Sequence, residues 1–165
     1  VGLRLDIKLL EFIAENRPAW SIVLVGPEDD NFKNSRLHSL PNVCFLGAKK
    51  MDELPEYVNG FDVCINPQLV NEVTIGNYPR KIDEYLAMGK PTVATATTAM
   101  EVFKDYCYLA KTKEDYITEI ENALNNNSEA EAARRREFAM THTWENNVKE
   151  IYKAINITLE ERGKD

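Results

Sequence analysis

Apolar and polar positions follow two periods along this chain, and the switches between them mark its elements. Leu5, Leu9, Phe12 and Ile13, with Leu10 beside them, recur at helical spacing and predict a helix over 4–16, ended by Pro18. Ser21 to Val25 is a short apolar run closed by Gly26-Pro27, the pattern of a buried strand. Glu28, Asp29 and Asp30 invite a metal reading, but acidic residues at a helix start account for them. A short helix or turn then leads through Leu37 and Leu40 to Pro41. Val43 to Leu46 is the next strand, stopped by Gly47. Met51, Leu54 and Tyr57/Val58 space a helix ending at Asn59-Gly60. Phe61 to Asn66 reads as a strand that Pro67 stops. Gln68 to Tyr78 is a polar loop, long for a strand-to-helix connection, and such loops often bind ligands.

The stretch from Asn77 to Thr95 reads N-Y-P-R-K-I-D-E-Y-L-A-M-G-K-P-T-V-A-T, a helix with both ends marked that feeds a strand. Pro79 suits a first helical position, Gly89 a left-handed residue just past the end, and Pro91 forbids continuation. Ile82, Tyr85, Leu86 and Ala87 form its apolar stripe, and Thr92 to Thr95 has the look of a buried parallel strand. The charge at the start is unusual. Arg80 and Lys81 sit in the first turn, where the helix dipole disfavours each cation by about 0.3–1 kcal/mol. A phosphate docked on the free N–H groups would reverse that penalty. Glu84 shares their face and could accept from a neighbouring pair of sugar hydroxyls. Spacing alone also admits a plain exposed Arg80–Glu84 pair, contributing about 0.3–0.5 kcal/mol.

Beyond this point Thr97-Thr98 is expected to cap a small helix over 99–104, and 106–109 to form one more strand. The rest is helical. Thr112 with Asp115 approximates a capping box for a helix that runs to Asn125-Asn126-Asn127. Ser128 caps the next, through Met140; its Arg134-Arg135-Arg136 run, interleaved with Glu129, Glu131 and Glu137, reads as a solvated face rather than a nucleic-acid patch. Thr143 caps a last helix whose Val148, Ile151, Tyr152, Ile155 and Leu159 are expected to enter the core. Strands alternating with helices imply an α/β fold, Rossmann-like, with a mostly parallel sheet, helices on both faces and trailing C-terminal helices. Ligand in such a sheet binds at the strands' carboxyl ends.

Composition narrows the classes. At 165 residues the chain is one domain of ordinary size, and 44% apolar content suits an α/β globule. A net charge of −7 argues against non-specific nucleic-acid binding and makes Arg80-Lys81 a local exception. No run approaches 18 apolar residues, so any membrane contact would come through parts outside this sequence, and no signal peptide is visible. Cys44, Cys64 and Cys107 are odd in number, widely spaced and set in apolar segments. They read as reduced core residues of a cytoplasmic protein. With two distant histidines, no metal site is expected.

P-R-K-I-D-E-Y-L-A-M-G-K-P-T-V-A-T also resembles the signature of the donor-binding domain in GT-B glycosyltransferases of family 4. R-P-x-W followed by V-L-V-G-P, then P-N-V-C-F-L-G, and finally T-W-E-x-x-V, resemble other segments of that family. The resemblance implies that 1–165 is the nucleotide-sugar-binding C-terminal half of a two-domain enzyme. Its partners would be a UDP-sugar or GDP-sugar and its own N-terminal acceptor domain, with no cofactor. Transfer would retain the anomeric configuration and use neither a bound metal nor a protein nucleophile. By the same analogy Arg80 and Lys81 face the diphosphate, Asn77 and Tyr78 lie beside it, and Glu84 takes the ribose hydroxyls. Gly26 and Gly47 belong to turns near the nucleotide; Gly47 permits close backbone approach to a base, though a plain turn explains it as well. Three departures stand out. The family's second glutamate, eight residues before Glu84, is Gly76 here, with Glu72 as a substitute from the loop. Its phosphate-binding Arg and Lys have only Arg4, and less closely Lys8, as counterparts. Its glycine-rich first strand is missing or reduced to Val1-Gly2. A nucleotide-sugar epimerase half-domain and a phosphate-sensing α/β module are the alternatives.

Overall fold

The computed structural model describes residues 2, 4–72 and 74–162, without the side chains of 160–162. Val1, one half of the reduced strand considered above, lies outside the described residues. Five short strands alternate with helices: α1 (Ile7–Asn16), β1 (Ile22–Val25), α2 (Asp30–Lys33), β2 (Val43–Gly47), α3 (Leu54–Gly60), β3 (Cys64–Asn66), α4 (Arg80–Ala87), β4 (Thr92–Thr95) and β5 (Tyr108–Ala110). Helices α5 (Lys113–Asn125), α6 (Glu129–Thr141) and α7 (Trp144–Arg162) trail behind. Every strand pairing is parallel. Val93 and Ala94, adjacent on β4, enter opposite hydrophobic clusters, which is what a sheet covered on both faces requires. Val93 joins Leu10 and Ile13 of α1 and Tyr116 and Ile120 of α5; Ala94 joins Ile82 and Leu86 of α4 and Ala139 of α6. The expected α/β class, parallel sheet and trailing helices are all present.

The pairing is interrupted once. β1 pairs with β2, and β3 with β4 and then β5, but no pairing joins β1 to β3 among the described residues. Between them runs a slot of about 620 Å³ lined by Ile22 to Val25 on one side and Val63 to Pro67 on the other. Leu10 and Ile13 of α1, Leu54 and Val58 of α3, and Tyr85 of α4 also line it. Two alternatives were open for these strands, direct pairing or a flanked gap. The structure has the gap.

Several boundaries and burials differ from expectation for physical reasons. α1 starts at Ile7 and not at 4, because the Asp6 carboxylate accepts the Leu9 N–H at 3.0 Å and fixes the cap there. Arg4 therefore precedes the helix. α3 begins at Leu54, leaving Met51 exposed in the turn before it. Asp29 caps α2, as an acidic helix start should. Ala87 on α4 is exposed, so the apolar stripe there narrows to Ile82, Leu86 and the partly buried Tyr85. Arg135 leaves the solvated face of α6 and is 3% exposed, its Nε donating to the Gly89 carbonyl at 3.0 Å. The largest correction concerns α7. Val148, Ile151, Tyr152, Ile155 and Leu159 do not enter the core but face solvent, because among the described residues no other element lies over them.

The cysteines divide in the same way. All three are free, yet only Cys64 and Cys107 are buried; Cys44, expected in the core, is exposed on the edge strand β2. Burial pushes both inner thiols up to about 12, against a small opposing pull from Lys90 on Cys64 and from Arg135 on Cys107. At pH 8, about four units lower, roughly one such thiol in 10,000 is ionised, and the thiolate is the reactive form. A chromogenic disulfide reagent at pH 8 should thus modify one cysteine rapidly in the folded protein and three in denaturant. Fast reaction of all three under native conditions would contradict this burial.

Candidate nucleotide-binding site

Arg80, Lys81 and Glu84 at the start of α4 line one cavity, while Asp83 between them turns to Tyr78 and His142, and both ends of the helix are tied down. Ile82 and Leu86 are fully buried beneath it. At the carboxyl end Gly89 is left-handed (φ 71°), with its N–H donated to Leu86 O at 2.8 Å and the Lys90 N–H to Tyr85 O at 3.0 Å. A side chain at Gly89 would bring its Cβ within 3.2 Å of Ala132 Cβ, so this turn also sets how closely α6 packs. Pro79 is the cap residue itself, one position before the expected first helical place. The loop ahead of it is braced from within: the Thr74 N–H reaches Asn71 Oδ1 at 3.0 Å, and Gln68 Nε2 donates to Thr74 O at 2.6 Å.

The cavity so formed measures about 920 Å³ and lies at the carboxyl ends of the parallel strands. Arg4, Arg80 and Lys81 line it, with Glu84 and Asp29 as the carboxylates among the described residues and Asn66, Gln68, Asn77 and Tyr78 between them. Arg4 arrives from a distant part of the sequence. Its carbonyl accepts the Leu69 N–H at 2.8 Å, and the Asp6 N–H reaches Pro67 O at 2.8 Å, so the N-terminal residues lie along the loop after β3. Three cations thus converge in a chain whose net charge is −7.

The pairing of these charges bears on the reading of the helix start as a plain Arg80–Glu84 pair. Among the described residues Arg80 and Glu84 form no ion pair, and Lys81 has neither a salt bridge nor a side-chain hydrogen bond. The guanidinium of Arg80 instead sits 3.8 Å from the ring centroid of Trp144, at the start of α7. A cation stacked on an indole keeps its in-plane donors free. Tyr78 is more committed: its hydroxyl lies 2.9 Å from Asp83 Oδ2, and burial, followed by that hydrogen bond, raises its pKa.

Not every candidate from the sequence joins the cavity. Gly26 and Gly47 lie at the ends of β1 and β2 and bond to each other, Gly26 N–H to Gly47 O at 2.9 Å, outside the cavity wall. Lys8 is turned away and paired with Glu11 at 2.9 Å. Glu72 and Gly76 are exposed in the loop and do not line the cavity. Sequence reasoning missed Asn66, Gln68 and Asp29. The signal for Asn66 was a polar residue ending the apolar run Phe61 to Asn66. Among the described residues no three His, Cys, Asp or Glu side chains are grouped so as to hold a metal ion.

The sequence model of the glycosyl transferases group 1 family matches residues 2–126, a span that includes every residue of the cavity wall. The chain belongs to that family. TuaH of Bacillus subtilis (strain 168), a glycosyltransferase named for teichuronic acid biosynthesis, is 32% identical over 161 residues. That alignment covers 93% of this chain and 41% of TuaH. Among solved structures, the α,α-trehalose 6-phosphate synthase of Burkholderia multivorans superposes with a TM-score of 0.56 at 16% identity. It shares the fold over 94% of this chain and 42% of its own. The chain therefore spans about two-fifths of the length of both, and the resemblance drawn from residues 77–95 is borne out at the level of family and fold. No described helix is long and apolar enough to cross a membrane.

Proposed function

We propose that this glycosyltransferase chain is the donor-binding half of a two-lobed enzyme and that the 920 Å³ cavity takes a nucleoside-diphosphate sugar. One observation carries the reading: Arg4, Arg80, Lys81 and Glu84 meet at the N-terminus of an eight-residue helix without neutralising one another. Unpaired cations beside free N–H groups are arranged for a diphosphate. A carboxylate one turn further along is arranged to accept from vicinal ribose hydroxyls. In the reaction so proposed, the bond from the anomeric carbon to the phosphate oxygen breaks, its electron pair leaving on the diphosphate. The acceptor hydroxyl oxygen bonds to that carbon on the same face and gives its proton to the departing oxygen. Arg4, Arg80 and Lys81 would stabilise the charge that develops there.

The apolar face of α7 supports the second half of the reading. It is a ready surface for another lobe of a longer chain, and the same helix carries the Trp144 that stacks on Arg80. A role in polysaccharide assembly, on the cytoplasmic side where nucleotide sugars are made, follows the analogy with TuaH. Titration calorimetry with UDP and GDP tests the site. Glu84→Ala should weaken nucleotide binding by about 1.5–3 kcal/mol, the worth of a hydrogen bond to a charged group. The melting temperature should hardly move, since among the described residues the Glu84 carboxylate makes no ion pair and no hydrogen bond. A large loss of stability with unchanged affinity would make the carboxylate structural instead.

A further inference from the structure

Asn66 ends β3 and is 6% exposed. Its main chain is fully used. The backbone carbonyl accepts from the Tyr116 hydroxyl at 2.8 Å and from the Gln68 N–H at 2.9 Å, and the residue pairs with Ala94 in the sheet. The side-chain Nδ2 has no hydrogen-bond partner, although it is buried. Yet the residue lies in the wall of the cavity that Arg4, Arg80 and Lys81 line, as well as in that of the slot between β1 and β3. A buried amide without an acceptor costs stability, and folded proteins rarely keep one without use. Cys64, two residues earlier on the same face of β3, is apolar in effect, so the strand position itself does not demand an amide.

We infer that Asn66 is a ligand-binding residue whose amide donates to a phosphate oxygen of the bound nucleoside diphosphate. This rests on the reading of the cavity given above. Phosphate oxygens accept and donate nothing, which is what a lone donor among three cations calls for. A neutral donor adds a hydrogen bond there without adding to the repulsion among Arg4, Arg80 and Lys81. The backbone that carries the amide is held from behind: Tyr116 lies 2.8 Å from the Thr95 hydroxyl and donates to the Asn66 main-chain carbonyl at 2.8 Å.

The experiment compares wild type, Asn66→Leu and Asn66→Asp by melting temperature and by calorimetry with UDP, GDP, uridine and guanosine. Leucine fills the volume and removes the unpaired donor, so the ligand-free protein should melt several degrees higher while diphosphate affinity falls at least about tenfold. Affinity for the nucleosides should stay within about twofold, because they carry no phosphate. Aspartate, which brings a negative charge to the phosphates, should weaken the diphosphates more than leucine does. Asn66→Ala repeats the comparison should leucine prove too bulky. A lower melting temperature for both Asn66→Leu and Asn66→Ala would show the amide to be structural and overturn the inference. Equal losses on nucleosides and diphosphates would move the contact off the phosphates and overturn it too. Unchanged diphosphate binding in the variants sinks the inference alone, whereas wild type that binds none of the four sinks the reading of the cavity with it.

Discussion

Adding a strand of five apolar residues ahead of Gly2 should raise the melting temperature of this chain by about 5–15 °C. The two open edges of β1 and β3 face each other across a slot of about 620 Å³, and each strand pairs in parallel with its own neighbour. In a doubly wound sheet of order 3-2-1-4-5-6, β2, β1, β3, β4 and β5 occupy every place but that of strand 1. The chain direction agrees. Residues 4–6 bond to the loop after β3, at the carboxyl end of the slot, and lead directly into α1 and then β1. A strand rising through the slot would therefore close a right-handed crossover through α1. Each of its apolar side chains gains about 1.5–3 kcal/mol on burial. Its backbone hydrogen bonds add about 0.5–1.5 kcal/mol apiece. Ordering costs about 1–2 kcal/mol per residue and about 0.5–1 more per apolar side chain, and the unfolded chain already buries part of the apolar area, which leaves a net gain of a few kcal/mol. For a chain of this size each kcal/mol shifts the midpoint by roughly 2–4 °C. An extension of alternating lysine and aspartate is the control. An equal shift from that control, or none from the apolar strand, would leave the slot without its proposed occupant.

How far the sequence revealed this depends on how local each signal is. The caps were legible because they act over three or four residues. Thr112 with Asp115 forms its reciprocal box, Ser128 accepts the Glu131 N–H, and Gly89 takes the left-handed turn. The class of fold was legible from strands alternating with helices, and the first turn of α4 was singled out by charge in the wrong place for the dipole. Long-range facts were not. Nothing in the sequence around Arg135 shows that it will reach the Gly89 carbonyl from 46 residues away. Arg4 looked helical because Leu5, Leu9 and Phe12 keep helical spacing, and a single carboxylate, Asp6, overrode that period. The stripe on α7 was read correctly as apolar and wrongly as core, since a period reports that a face wants burial and not what buries it. Asn66 escaped notice for a similar reason. An amide at the end of an apolar run is common, and only its missing partner makes it informative.

Turnover should be absent from this chain by itself, while nucleotide affinity persists in weakened form. Arg4, Lys81, Glu84 and Asn66 all belong to the present cavity, so the contacts proposed for the nucleotide are in place. Among the described residues no element of another lobe faces the cavity, and Trp144 is two-thirds exposed over Arg80. Transfer needs an acceptor hydroxyl held against the anomeric carbon, and such positioning accounts for roughly 7–11 kcal/mol of a barrier. At about 1.4 kcal/mol per tenfold, its loss lowers the rate by at least about five orders of magnitude, below detection in an ordinary assay. A radiolabelled-donor assay on this chain, beside a two-lobed version carrying an acceptor lobe, reads the difference directly. Calorimetry with UDP and GDP on both proteins separates binding from chemistry. Transfer by the isolated chain at a rate near that of the two-lobed protein would overturn the donor-half reading. Binding in both and transfer only in the longer protein is the expected outcome, because the cations proposed to stabilise a leaving diphosphate would act on a bond that only a positioned acceptor can complete.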